Sequence, residues 1–400
     1  MTKRIIAIFF IYVCTSAAWV ILSATMFVRT EMQDTGLKQD VHQLWGIAQT
    51  QTAPTVIYDT SKMLQSLESS KIDIDIKLEH RKRGLLWYST YTVLFTGEYQ
   101  VKNTSNESQM MNIDFRFPAQ GAIYDNFHFI IGGLEPEQIE LSQDSIVRPV
   151  KLEAGQTENF KITYTSHGLD SWSYDFGGSV NQVKNFSLNL KTNFKDIDFP
   201  TDSLSPTQKQ FIKEGWTLSW KYTNLLTGVK IGMLMPHKLN PGPWASKVTT
   251  AAPVSLFLFF FLLLIFTTIR KIKIHPMNYF FIGAAFFSFH LLLAYLVDHI
   301  SIHLAFWICS LVSVFLVVSY MRLAAGRRFA FIEVALSQLV YLIFFSYTFF
   351  FEGYTGLAIT ILCICTLFIV MQITGRFDWE KVFAKTEQTA KIPDTGQQTL

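Results

Sequence analysis

Apolar and polar positions along this chain follow two regimes. Up to about residue 235 they tend to alternate, and beyond 249 apolar residues run on for twenty at a time. Lys71-Ile72-Asp73-Ile74-Asp75-Ile76-Lys77-Leu78 is the plainest case of the first regime. A period of two puts its isoleucines on one face of a strand and its charges on the other. Similar patterning predicts strands over 53–58, 90–95, 98–101, 109–117, 126–131, 157–165, 184–194, 215–222 and 227–235. Asn103-Thr104-Ser105-Asn106, Gly132-Gly133 and Gly177-Gly178 mark turns between them, and Gly97 reads as a bulge or bend. Ser205-Pro206 predicts a helix over 205–214, since proline suits a first helical turn. Some ten short strands with polar turns imply an antiparallel, sandwich-like domain rather than a βαβ fold.

The second regime supplies 249–269, 277–297, 302–321, 329–350 and 356–373. Each approaches the ~20 apolar residues that cross ~30 Å of hydrocarbon. A sixth run, 5–28, is longer than the roughly 7–15 residues of a signal-peptide core and reads as a retained anchor. A polar helix over 30–43 follows it. The predicted fold class is an α+β membrane protein in four parts. These are an N-terminal transmembrane anchor (1–29), a β-rich domain (30–247), a five-helix transmembrane bundle (248–375) and a polar tail (376–400).

Charge sets the orientation. The connections 298–303 and 351–356 carry no lysine or arginine. The opposite connections carry Arg270, Lys271 and Lys273, then Arg322, Arg327 and Arg328, and the tail adds Arg376, Lys381, Lys385 and Lys391. Short loops rich in cations stay cytoplasmic. With Lys3 and Arg4 ahead of the first run, this predicts both termini inside and the β-rich domain outside as a large extracytoplasmic domain.

Composition narrows the classes of function. The net charge of +3 is small, and no basic cluster interleaves with aromatics, so no nucleic-acid partner is expected. Cys14, Cys309, Cys363 and Cys365 all fall in predicted spans, so the outer domain must fold without disulfides. On a helix, Cys363 and Cys365 point about 200° apart, which suits packing rather than metal binding.

Ionisable groups inside a span are costly and nominate themselves as functional. His290, Asp298, His299 and His303, at the outward end of spans three and four, form the leading candidate cluster, with proton sensing or metal binding as its chemistry. The competing reading has Asp298 capping the next helix, the outer histidines wetted at the interface, and His290 bonded to a neighbouring helix. Glu333 and Gln338 sit in the inner half of span five, with Glu333 within reach of Arg327 or Arg328, and Glu352 closes that span outside. His275 precedes Pro276 at the start of span three.

In the outer domain, Asp73 and Asp75 share a face with Lys71 and Lys77 and read as solvated surface. His80-Arg81-Lys82-Arg83 is a basic turn that suits either anionic headgroups or plain exposure. Asp170-Ser171-Trp172-Ser173-Tyr174-Asp175 beside His167 holds hydrolase-type residues, but triads assemble from distant segments. No nucleophile elbow, zinc-protease, P-loop or dinucleotide fingerprint is present, so neither cofactor nor metal is predicted.

Leu44-Trp45-Gly46 with Gln49 and Ala53-Pro54, then Arg83-Gly84-Leu85 with Thr90-Tyr91, Phe95 and Gly97, are the first of several stretches that together resemble the CreD family of inner-membrane proteins, a colicin-tolerance and cell-envelope-integrity family. Trp216, Ser219, Trp220 and Asn224 follow, then Ile274-His275-Pro276-Met277-Asn278-Tyr279, Leu293 through Asp298-His299, and Arg376-Phe377-Asp378-Trp379. The resemblance implies an envelope-integrity or envelope-stress role, linked to two-component control, and no catalytic residues. The expected function is therefore non-enzymatic, with the β domain binding an envelope protein or cell-wall component while the helices hold it in the lipid bilayer. The alternatives are a small-solute or proton-coupled transporter using His290 and Asp298, or a membrane enzyme acting on lipid or cell-wall precursors near Asp298, His299 and Glu352.

Overall fold

A computed structural model describes residues 2–135, 144–177 and 181–375. The chain divides into two compact units, Met1–Gln33 with Asn240–Leu400, and Asp34–Leu239. The expected polar tail over 376–400, and Gly178 of the Gly177-Gly178 turn, lie outside the described residues.

The second unit holds fourteen strands among its described residues, in three sheets. A seven-stranded sheet runs β12 (Gln208–Ile212), β13 (Gly215–Thr227), β11 (Asn181–Thr192), β4 (Ser69–Arg83), β5 (Leu86–Lys102), β9 (Thr157–Leu169) and β7 (Tyr124–Ile131). A four-stranded sheet runs β3 (Leu64–Gln65), β2 (Thr55–Tyr58), β6 (Gln109–Arg116) and β8 (Ser145–Leu152). A three-stranded sheet runs β1 (Gln49–Thr52), β10 (Ser171–Asp175) and β14 (Ile231–Leu234).

The expected antiparallel character needs correction, because β4 pairs with β11, and β1 with β10, in parallel. The alternation in β4 behaves as read: Ile72, Ile74 and Ile76 are buried while Lys71, Asp73 and Lys77 face water. Their core continues through Phe95, Phe115, Tyr164, Trp172, Leu188 and Trp220, all fully buried.

Two local expectations fail for physical reasons. Residues 205–214 do not form a helix. Ile212 pairs with Gly215 across a two-residue turn, and β12 becomes an edge strand with Phe211 packed edge-on to Trp216 at 5.1 Å. Strand pairing with the long β13 overrides the local start signal. Gly97 is no bulge either, since β4 and β5 stay in register through it. Its missing side chain leaves room for the Tyr99 ring, which a Cβ would meet at 2.5 Å.

Burial holds the phenols of Tyr91, Tyr99 and Tyr164 well above the ordinary tyrosine value of 10, and that of Tyr124 is pushed up to about 12. An unfolded chain ionises its tyrosines near pH 10 while these stay neutral. Stability is thus complete below that pH and is lost as pH rises toward the folded values. The β unit should unfold cooperatively in alkali, with tyrosine ionisation by ultraviolet difference absorption rising together with loss of strand circular dichroism. Independent titration at unchanged circular dichroism would contradict this.

Among its described residues the first unit contains six helices long and apolar enough to cross a membrane. They are the span-forming part of α1 (Thr2–Trp45), α2 (Pro241–Ile269), α3 (Pro276–Leu296), α4 (Ile302–Ala325), α5 (Arg327–Phe350) and α6 (Thr355–Thr374). α1 is not a detached anchor. Ser23 Oγ lies 2.5 Å from Thr250 Oγ1, Tyr12 Oη donates to the Pro253 carbonyl at 3.2 Å, and Trp19 packs edge-on to Phe287 at 5.0 Å. α2 begins eight residues earlier than its apolar run suggests, which places Pro253 well inside the helix. α3 starts as expected on His275-Pro276: the His275 Nδ1 accepts the Met277 N–H at 3.2 Å.

Candidate functional site

The four residues nominated at the outward ends of α3 and α4 do not form one cluster. His290 is buried and faces α1, with its ring centroid 5.8 Å from Trp19, 4.9 Å from Phe289 and 6.1 Å from Phe286. Neither ring nitrogen makes a hydrogen bond of good geometry, the nearest backbone partner being in Phe286. The neighbouring-helix hydrogen bond expected for it is absent; aromatic faces surround it instead. His299 is exposed. His303 stacks on Phe350 of α5 at 4.7 Å with the rings 15° apart. Among the described residues no three His, Cys, Asp or Glu side chains come together as a metal site. Glu352 is exposed as well.

Asp298 does something the sequence reading missed. The helix cap falls to Ser301, whose side chain accepts the Leu304 N–H, and not to Asp298. Asp298 instead pairs with Arg29 of α1 at 3.1 Å, and the two side chains are only 12% and 30% exposed. Arg29 also donates to the Ala294 carbonyl at 3.0 Å and lies 5.7 Å from the Tyr295 ring centroid. The pair ties the end of α3 to α1. One signal was available: Arg29 is a cation at the end of a span where the charge rule disfavours cations, so it called for a carboxylate on the same side.

Helix α5 carries the second departure. It widens into π-helical turns at Ala330–Val334 and Leu339–Phe344. Such turns shift the backbone bonding pattern and often mark functional positions. Here the Tyr341 carbonyl accepts the Ser255 hydroxyl of α2, and Tyr341 Oη meets Thr366 Oγ1 of α6 at 2.7 Å. Between the turns, buried Gln338 donates to Ser313 Oγ of α4 at 3.1 Å, and Ser313 donates to the Ala285 carbonyl of α3 at 2.9 Å. Glu333 pairs with Arg270 at the end of α2, not with Arg327 or Arg328 as expected. The sequence over 329–350, largely apolar around Glu333 and Gln338, gives no warning of the widened turns.

Gln338 Oε1 is buried without a partner, so the carboxamide is incompletely satisfied. Gln338→Leu should therefore change stability by no more than about 1 kcal/mol, read as the thermal unfolding midpoint in detergent. A loss well beyond that would mean the bond to Ser313 is structural.

In the β unit, Ser171–Asp175 form β10, with Trp172 and Tyr174 buried, while His167 lies in β9 with its Nδ1 3.1 Å from Thr92 Oγ1. A different feature stands out: a cavity of about 180 Å³ where β2 and β3 meet β10 and β11. Pro54, Leu64, Gln65, Phe176, Asn181 and Lys184 line it. Lys184 is held by Glu68 at 3.0 Å, and the Asn181 amide donates to the Phe176 carbonyl at 3.1 Å. Whole small-molecule sites occupy about 300–1,000 Å³, so this space suits one or two side chains or a single ring. The edge strand beside it, β3, is two residues long and pairs on one side, with β2.

The family profile described as inner membrane protein CreD matches residues 133–380, more than half of the chain. The chain belongs to the CreD family. The match takes in the second half of this CreD-family protein's β unit and every helix after α1. The Leu44–Pro54 and Arg83–Gly97 stretches lie ahead of it, and Arg376-Phe377-Asp378-Trp379 lies within it but outside the described residues.

No curated protein matches the CreD-family chain. Among solved structures, a putative nutrient binding protein from Legionella pneumophila is similar with a TM-score of 0.32 and 11% identity, covering 54% of this chain and 76% of that one. An M1 zinc metallopeptidase from Deinococcus radiodurans gives a TM-score of 0.26 and 10% identity, covering 43% of this chain and 42% of that one.

Proposed function

We propose that this inner-membrane protein is a binding protein rather than an enzyme, and that it contributes to envelope integrity. Its β unit faces the periplasm and holds an extended segment of an envelope protein. The observation that carries this reading is the cavity beside β3. It combines apolar walls from Leu64 and Phe176 with amides from Gln65 and Asn181, and it adjoins a strand edge to which a further strand can add. Backbone pairing along an edge supplies affinity and a neighbouring pocket supplies selectivity. The periplasmic orientation rests on the cation-poor connections 298–303 and 351–356.

Two measurements test it. A cysteine at Glu153 should react with an impermeant maleimide in intact spheroplasts, whereas one at Gly326 should react only after lysis; the opposite pattern overturns the orientation. A photo-crosslinking residue at exposed Gln182, beside the cavity, should trap a discrete envelope protein that the same residue at Lys151 does not. Equal capture from both positions would defeat the cavity assignment.

A second reading, movement of a small solute or proton, is favoured by one specific observation: the π-helical turns of α5 flanking buried Gln338. Reconstituted protein that acidifies or loads liposomes, and loses this with Gln338→Leu, would establish that reading in place of the first.

A further inference from the structure

The turn between β4 and β5 gathers charge and aromatic surface at one end of the β unit. Its Arg81 and Arg83 are anchored rather than free. Arg81 bonds Glu79 at 2.7 Å and lies 5.6 Å from the Trp45 ring centroid, while Arg83 reaches Asp40 at 3.4 Å. Lys82 between them is exposed, and Lys238 sits 4.3 Å from the ring of Trp87. Four cations thus meet two carboxylates. Trp45 and Trp87 stand half-buried among them, and Leu44 is 58% exposed beside Trp45. Partly exposed tryptophans interleaved with lysine and arginine are the composition of a membrane-water interface.

Chain connectivity limits how far this hairpin end can lie from the start of α2. The β4–β5 hairpin is fastened to the segment that leads to α2. His80 Nε2 lies 2.9 Å from the Pro236 carbonyl, and Ser89 Oγ donates to the same carbonyl at 2.7 Å. Pro236, which holds the hairpin, is five residues from Pro241, where α2 begins, and five residues reach at most about 18 Å. The hairpin end is thus on a short tether from the start of a helix long and apolar enough to cross a membrane. The other tether is α1: Gly84 at the tip packs against Leu37, and Val41 is buried with Leu86, Tyr88 and Leu169.

We infer that the Arg81-Lys82-Arg83 end of β4, with Lys238, is a membrane-surface contact selective for anionic lipid headgroups. Arg81 and Arg83 are held on one face of the hairpin by their carboxylate and aromatic partners, and Lys82 projects from the other face, where Lys238 covers its cross-strand neighbour Trp87. Attraction of this kind amounts to a few-fold in equilibrium per cation and fades with salt. The contact would steady the β unit over the bilayer in proportion to its anionic lipid.

The test uses the full chain in nanodiscs of phosphatidylcholine alone or with about one-third phosphatidylglycerol, followed by hydrogen-deuterium exchange. Amides over 80–88 should exchange about fivefold more slowly with the anionic lipid, while the distant 103–108 turn is unaffected. The protection should vanish at about 0.5 M salt and in Lys82→Glu, a change at an exposed side chain that leaves the fold intact. Equal exchange in both lipids, or protection that survives Lys82→Glu, overturns the inference. Protection that appears only when an envelope extract is added would assign the turn to a protein partner instead.

Discussion

Asp298→Ala should destabilise the helical unit by about 2–3 kcal/mol, because it strands Arg29 beside α3 without its counter-charge. Removing one member of a fully buried pair costs roughly 3–5 kcal/mol. Arg29 keeps 30% of its side chain accessible and still donates to the Ala294 carbonyl, so some hydration and one bond remain to it. Asp298→Asn should cost less, since an amide oxygen can still accept from the guanidinium. Arg29→Ala leaves the carboxylate, only 12% exposed, as the stranded partner and should cost a similar amount. The decisive comparison is the double variant Arg29→Ala/Asp298→Ala. With both charges gone it should be more stable than the sum of the single losses by at least about 1 kcal/mol, read from thermal unfolding in detergent. Strict additivity would show that the two side chains are neighbours without being partners.

This ion pair also shows where sequence reading succeeds and where it stops. The apolar runs and the strand alternation are local properties, so α3, α4 and α6 and the buried isoleucines of β4 were legible without any structure. Charge asymmetry between connections is nearly as local. The Arg29–Asp298 pair joins residues 269 positions apart, and only the packing of α1 on α3 creates it. His290 was rightly singled out as an expensive residue. Its surroundings of Trp19, Phe286 and Phe289 come from two helices and could not be read from its own neighbours in sequence.

Parallel pairing was illegible for a similar reason. Nothing in β4 or β11 alone states which way they meet, whereas the two-residue turn at 213–214 hides behind a helix-start signal that is real but weaker than strand pairing. The widened turns of α5 are the extreme case, because leucine, valine and phenylalanine serve α- and π-helical turns equally well. The cavity at β3 draws on five strands from three sheets, which no linear pattern assembles.

Gly46→Ala should be among the most damaging single substitutions in the β unit, at about 2–5 kcal/mol. Gly46 ends α1 with its N–H on the His42 carbonyl at 3.1 Å and a φ of +92°, a region where an L side chain is strained by about 1–2 kcal/mol. Space is the larger obstacle. A Cβ there would lie 2.3 Å from the His167 carbonyl oxygen and 3.1 Å from its carbon. Both are backbone atoms of β9, so no rotamer change relieves the clash, and forced overpacking adds about 1–3 kcal/mol. The same carbonyl accepts from Gln49 Nε2 at 2.9 Å, and Leu169 donates to the Ile47 carbonyl at 3.1 Å. Pushing β9 aside would therefore loosen the segment that leads into β1 as well. Gly121 supplies the control: its φ of +72° is also positive, but nothing lies within 4 Å of an added Cβ, so Gly121→Ala carries the strain alone. Chemical denaturation followed by tryptophan fluorescence should rank Gly46→Ala at least about 1 kcal/mol below Gly121→Ala. Equal losses would mean that β9 yields freely at His167 and that the junction is softer than its contacts indicate.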